Sequence, residues 1–299
     1  MTGQLERPAG DLLASYAAIA ADLVGRETQL QGLLAVLAAG RNLLLEGPPG
    51  TGKSTLLRAA TRHFDLPLLL VEGNSEMTPQ KMIGYHDPSA VLRHGYRSED
   101  FVLGPLPEAM SSGGLLYVEE FNRLPEDTLN TLLTAMSERE LHVPRFGTVA
   151  ARETFRVIAA MNPFDNIGTT RVSASVYDRL CRMVVDYQDE EDERQIVCLR
   201  AAPDRADIVR VAVRAVRDSR GHPGIRRGAS VRGAIDFVLI EQSLRQLTGD
   251  TALTAAHLAR VAELALSSKI VPDEAWGRSA EDLARELILG AARSLAVLA

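Results

Sequence analysis

The residues Gly47-Pro48-Pro49-Gly50-Thr51-Gly52-Lys53-Ser54 follow the spacing G-x-x-x-x-G-K-S. Glycines at such positions let backbone N–H groups turn inward on an anion. The lysine ammonium neutralises phosphate oxygens, and the serine hydroxyl is a hard ligand for Mg²⁺. An apolar run, Asn42-Leu43-Leu44-Leu45, precedes the loop and a helical pattern follows it. That strand–loop–helix context is what a phosphate cradle needs. The expected lining is Gly47, Pro48, Pro49, Gly50, Thr51, Gly52, Lys53, Ser54 and Thr55, holding ATP with Mg²⁺ on Ser54.

A second apolar run, Leu115-Leu116-Tyr117-Val118, ends in the carboxylates Glu119 and Glu120. At the C-terminal edge of a sheet the first can support Mg²⁺ and the second can activate water. Asp is commoner at the first position, so the extra methylene of Glu119 shifts the metal geometry. A third run, Ile158-Ala159-Ala160-Met161, ends at Asn162, which could place the attacking water, although Asn162-Pro163 is also an ordinary turn signal. Asp178-Arg179-Leu180 leaves two readings of Arg179: a finger stabilising charge in a neighbour's site, or a surface ion pair with Asp178. In Gly228-Ala229-Ser230-Val231-Arg232, Ser230 is a candidate N-cap. Arg232 falls in a first helical turn, where the dipole disfavours a cation unless a phosphate partners it.

The elements that must position these groups are legible in the pattern. Short apolar runs at 42–45, 68–71, 115–118, 157–160 and 183–185 do not alternate with polar residues, as in parallel strands buried on both faces. Helical spacing at 54–63 and 128–139 falls between them, the rhythm of a doubly wound α/β fold. Beyond residue 186 the pattern is helical at 189–200, 207–217, 231–247, 255–268 and 280–298, with no convincing strand. The segments expected are a helical lead-in (1–22), an α/β nucleotide-binding core (23–187) and a helical domain (188–299).

Composition narrows the classes. A net charge of -6 provides no general basic field for nucleic acid. Cys181 and Cys198 are too few for a zinc site or disulfide framework and are expected to be small buried hydrophobes. The six histidines show no ligand spacing. With no signal-peptide pattern and no apolar run of spanning length, a cytoplasmic location is expected and a membrane partner is not.

The order of these motifs resembles the MoxR family of AAA+ ATPases, related to the CbbQ/NorQ-type activators and the magnesium chelatase ATPase subunit. The resemblance extends from Val24-Gly25-Arg26-Glu27 to the helix at 265–270. Glu120-Phe121-Asn122-Arg123 resembles the family's Glu-Ile-Asn-Arg, with Glu119 where the family has Asp. Ala160-Met161-Asn162-Pro163 looks like its sensor 1, Asp178-Arg179 its finger, and Gly228-Ala229-Ser230-Val231-Arg232 its sensor 2 with Val for Pro. Residues 73–107 resemble the clade's helix-2 insert, with a helix start at Met77-Thr78-Pro79. Residues 140–143 and 148–150 resemble its pre-sensor 1 hairpin.

The resemblance implies a three-layer αβα P-loop NTPase core with a helical lid, assembled into a ring, most plainly a hexamer. It also implies Mg-ATP hydrolysis that remodels or activates a client protein, in some relatives for metal-cofactor maturation, with a von Willebrand factor A-domain adaptor. Two rivals stay open. One is a nucleic-acid motor, for which Lys81, Arg93 and Arg97 are the basic groups in the insert. The other is an ATP-gated scaffold with slow hydrolysis, which Glu119 keeps alive.

Overall fold

The computed structural model describes residues 9–163, 172–249 and 252–298. The described chain forms two compact units, one running to Asp186 apart from loop residues Pro49–Thr51, the other from Tyr187 onwards.

The first unit opens with α1 (Ala9–Ala20) and α2 (Glu27–Ala38), which pack on one side of the core through Ile19, Leu30, Leu33 and Leu37. Arg26, at the N-cap of α2, is 6% exposed and donates from Nη2 to Asp186 O at 2.8 Å. That bond ties the Val24-Gly25-Arg26-Glu27 segment to the end of the unit.

Strand β1 (Asn42–Glu46) leads through the glycine-rich loop into α3 (Lys53–Phe64), and β2 (Leu68–Glu72) follows. The insert contains α4 (Pro79–Ile83), β3 (Gly84–His86), α5 (Pro88–His94) and β4 (Phe101–Leu103), with β3 and β4 antiparallel. Thr78 caps α4 by accepting from Lys81 N at 3.3 Å, as Met77-Thr78-Pro79 predicts. Next come α6 (Pro105–Ser112), β5 (Leu115–Glu119), α7 (Glu126–Glu138), the hairpin β6 (Glu140–Val143) and β7 (Gly147–Ala150), and β8 (Arg156–Met161). Helix α8 (Ala174–Tyr177) and β9 (Leu180–Val184) close the unit.

The five core strands are parallel in the order β2-β5-β8-β1-β9. Their apolar side chains alternate between two packed layers. Leu44, Leu116, Val118, Val157 and Ala159 face the α6 and α7 side, while Leu43, Leu45, Leu115, Tyr117 and Ile158 face the α2 and α3 side. Double burial explains the unbroken apolar runs, each buried Leu contributing about 1.5–3 kcal/mol. The last core strand begins at Leu180 rather than near 183, because Cys181 and Arg182 on this edge strand face solvent and break the apolar run.

The insert and the hairpin interlock through aromatic contacts. Phe101 and Phe146 rings lie 4.7 Å apart, and the Arg145 guanidinium sits 4.0 Å from the Tyr96 ring centroid. His86 meets Tyr96 and Phe101 edge-on, at 5.1 and 4.9 Å.

The second unit contains α9 (Glu190–Ala201), α10 (Ala206–Gly221), α11 (Val231–Thr248), α12 (Ala255–Leu266) and α13 (Ala280–Ser294) around one apolar cluster. It also holds a two-stranded antiparallel ribbon, β10 (Ile225–Arg227) with β11 (Val271–Pro272), which corrects the expectation of no strands here. Two and three residues are too short to show a period in sequence. Cys181 and Cys198 are both exposed, against the expected burial. The outward side of an edge strand and of α9 simply carries them.

Glu193, 2% exposed, organises this unit. Its carboxylate accepts from Arg220 Nη2 at 2.6 Å and Arg217 Nη1 at 3.1 Å, and Arg220 Nε donates to Ala229 O at 2.9 Å. Removing the charge leaves two guanidiniums without their buried partner, so Glu193→Gln should destabilise the helical unit by on the order of 3 kcal/mol. Urea unfolding followed by helix content in the full chain checks this.

Candidate functional site

The glycine-rich loop leaves β1 at Gly47, whose N–H donates to Met161 O at 3.1 Å. A Cβ there would stand 2.1 Å from Val185 O, so only glycine permits this exit. Gly52, with φ +83, sits in left-handed backbone at the N-cap of α3 and turns the chain into the helix. Lys53 and Ser54 thereby fall in the first turn, where backbone N–H groups are unsatisfied within the helix and the dipole favours an anion. Lys53 Nζ donates to Gly47 O and Pro48 O, both at 2.8 Å, so the ammonium is folded over the loop it serves. Thr55 is exposed on the same turn.

Ser54 Oγ donates to Glu119 Oε1 in a very short contact. The extra methylene that sets Glu119 apart from Asp therefore does not prevent it from reaching the hydroxyl. Tyr117 OH lies 3.3 Å from the same Ser54 oxygen. Burial, ahead of its other influences, pushes the Tyr117 phenol well above the usual range, so it stays protonated. A hydroxyl and a carboxylate in contact are hard oxygen donors of the kind Mg²⁺ takes. That ion is ordinarily held by one or two protein oxygens together with substrate phosphates and water. The donor set fits, with Ser54 as ligand and Glu119 as support.

Glu120 follows β5 in left-handed backbone, φ 49 and ψ 42, a conformation costing a non-glycine residue about 1–3 kcal/mol. The turn carries the chain into a short 3₁₀ segment, Phe121–Arg123, anchored by Phe121 at 1% exposure. Glu120 Oε2 lies 3.1 Å from Arg123 Nε, with both side chains more than a third exposed. Asn122, buried, donates from Nδ2 to Asn162 O at a long 3.5 Å. Asn162 follows β8, and β8 neighbours both β1 and β5, so the ends bearing the loop, the carboxylates and Asn162 lie along one edge of the sheet.

Arg179 does not share that edge. It precedes β9, whose first residue Leu180 pairs with Asn42 at the start of β1. At least about 13 Å of strand separates it from the end where the loop begins. Its guanidinium donates to Ser137 Oγ and Ser175 O rather than pairing with Asp178. Arg232 is exposed in the first turn of α11, in the second unit. Ser230 occupies the N-cap position of α11 without a side-chain cap bond, a correction to the expected capping role.

Sequence reasoning assigned no role to Tyr117 or Arg123. The available signals were a phenol inside an otherwise aliphatic run, two residues before Glu119, and an arginine three residues after Glu120. Nor did it single out Glu46, 5% exposed, which receives Arg182 Nε at 2.7 Å across the β1–β9 pair.

Residues 42–180 match the AAA domain family of the dynein-related subfamily. Gas vesicle ATPase GvpN1 of Halobacterium salinarum is 29% identical over 58% of this chain and 56% of its own length. GvpN of Haloferax mediterranei is 25% identical over 72% of this chain and 67% of its own length. YojN of Bacillus subtilis is 29% identical over 59% of this chain and 58% of its own. The chain thus spans little more than half the length of two of these relatives.

Among solved structures, a protein of Cytophaga hutchinsonii superposes with TM-score 0.52 at 19% identity, covering 94% of this chain and 93% of that one. NtrX of Brucella abortus in complex with ADP gives 0.56 at 19% identity, over 91% and 64%. The fold is that of an AAA+ P-loop NTPase, and residues 42–180 are the part of the chain that the AAA domain model matches. If Lys53 neutralises phosphate as the loop spacing predicts, Lys53→Ala should weaken ATP binding at least about tenfold. Calorimetric titration with ATP checks this.

Proposed function

We propose that this chain is a MoxR-type AAA+ ATPase that couples Mg-ATP hydrolysis to remodelling or activating a client protein. The observation that carries the reading is the joining of Ser54 to Glu119 beside Lys53, at the strand edge where Glu120 and Asn162 also emerge. Lys53 binds β/γ-phosphate oxygens together with the loop amides, and Ser54 and Glu119 hold Mg²⁺, which neutralises charge on the phosphates. Glu120, freed from Arg123, accepts a proton from the attacking water, which Asn162 orients.

Arg179 supports a ring. It stands at the opposite strand edge from its own loop and is exposed, so a finger role requires a neighbouring copy's site. A hexamer is the assembly we propose. In this reading residues 23–187 are the core, 188–299 the lid carrying Arg232 as nucleotide sensor, and 1–22 a lead-in. The chain would act in the cytoplasm; no helix among the described residues is long and apolar enough to cross a membrane.

A protein client is favoured over nucleic acid by the insert. Tyr85, Leu92 and Tyr96 are exposed there by 56%, 88% and 56%, among only a few cations. Such apolar exposure suits protein contact better than a phosphate backbone. A von Willebrand factor A-domain adaptor and a role in metal-cofactor maturation belong to the same proposal.

Glu120→Gln should lower kcat at least about 100-fold while ATP binding persists. Arg179→Ala should lower kcat by about 10³, and mixing it with Glu120→Gln should restore part of the activity if sites are shared between subunits. Steady-state phosphate release measures both. Stimulation by DNA, without any effect of a client, would favour the nucleic-acid motor instead.

A further inference from the structure

The strand ending in Glu119 carries one polar group inside its apolar run. Tyr117 is 1% exposed, and side chains two apart on a strand share a face. Its phenol therefore points to the same side as Glu119, towards the first turn of α3. The hydroxyl ends 3.3 Å from Ser54 Oγ, which itself donates to Glu119 Oε1. A phenylalanine would fill the same volume without placing an oxygen there.

We propose that Tyr117 is a positioning residue for the metal site, its hydroxyl orienting Ser54 Oγ and the Glu119 carboxylate as a pair. The inference rests on reading Ser54 and Glu119 as the Mg²⁺-holding groups. A serine hydroxyl has one proton and two lone pairs. With its proton given to Glu119 and one lone pair receiving the phenol O–H, a single lone pair is left to face a cation. The network thus fixes the direction in which Ser54 offers its oxygen. It also answers the departure at Glu119. Glutamate has one more rotatable bond than aspartate and so more conformations to lose, and anchoring the hydroxyl that binds it restricts those conformations before any ligand arrives.

The test separates this role from plain packing. ADP binding is titrated calorimetrically in EDTA and at increasing Mg²⁺, in the wild type, Tyr117→Phe, Ser54→Ala and the double variant, with thermal midpoints as the control for folding. The expected result is that Tyr117→Phe raises the Mg²⁺ concentration for half-maximal tightening about fivefold and leaves ADP affinity in EDTA unchanged. The double variant should shift no further than Ser54→Ala alone, because the phenol acts through that hydroxyl. Glu119→Asp should reduce the effect of Tyr117→Phe, since the shorter side chain needs less restraint. A Tyr117→Phe variant with a lowered thermal midpoint and an unchanged Mg²⁺ requirement would overturn the inference while Ser54→Ala still upholds the metal reading. If Ser54→Ala shifts nothing either, the metal reading itself is wrong.

Discussion

Parallel strands covered by helices on both faces favour polar side chains where the strands run out, and a polar group within them needs a partner, as Tyr117 finds in Ser54. In this chain β1, β5 and β8 are buried along almost their whole length. The groups able to do chemistry are consequently forced to the strand edge: the loop after Glu46, the carboxylates after Val118, and Asn162 after Met161. Because the strands are parallel and adjacent through β8, three segments distant in sequence deliver these groups to one edge. The same constraint sends Arg179, which enters β9 rather than leaving it, to the other edge.

Within the site, two neighbouring glutamates receive different environments from the backbone. Glu119 closes the strand in extended conformation and meets Ser54, so it is tied to the helix that carries the phosphate loop. Glu120 is thrown into left-handed backbone and swings to Arg123, on the exposed side. The strained turn is held by Phe121, which is packed into the core one residue later. One residue of separation thus divides a carboxylate tied to Ser54 from one paired with Arg123 on the exposed side.

In the helical unit the organising interaction is ionic. Glu193 on α9 holds two arginines of α10, and one of these reaches Ala229 just before α11. Arg220 also lies 3.8 Å from the ring of Tyr187, the first residue of the unit. The start of the unit and the start of the helix bearing Arg232 are therefore both referenced to a single buried carboxylate.

The phosphate loop, the apolar strands and the helical second half were legible in the sequence because each is local: glycine spacing, doubly buried runs and 3.6-residue periodicity carry their own signatures. The ribbon of β10 and β11 was not, being too short for any period, and the exposure of Cys181 and Cys198 depended on which faces their elements turn outward. The sequence by itself nominated the candidate residues for phosphate and metal. Only the tertiary structure decided that Glu119 is long enough to reach Ser54, that a phenol stands beside them, and that Arg179 lies at the far edge. Those are matters of register and side-chain direction across strands, which pairing over more than sixty residues of intervening chain sets and no local pattern records.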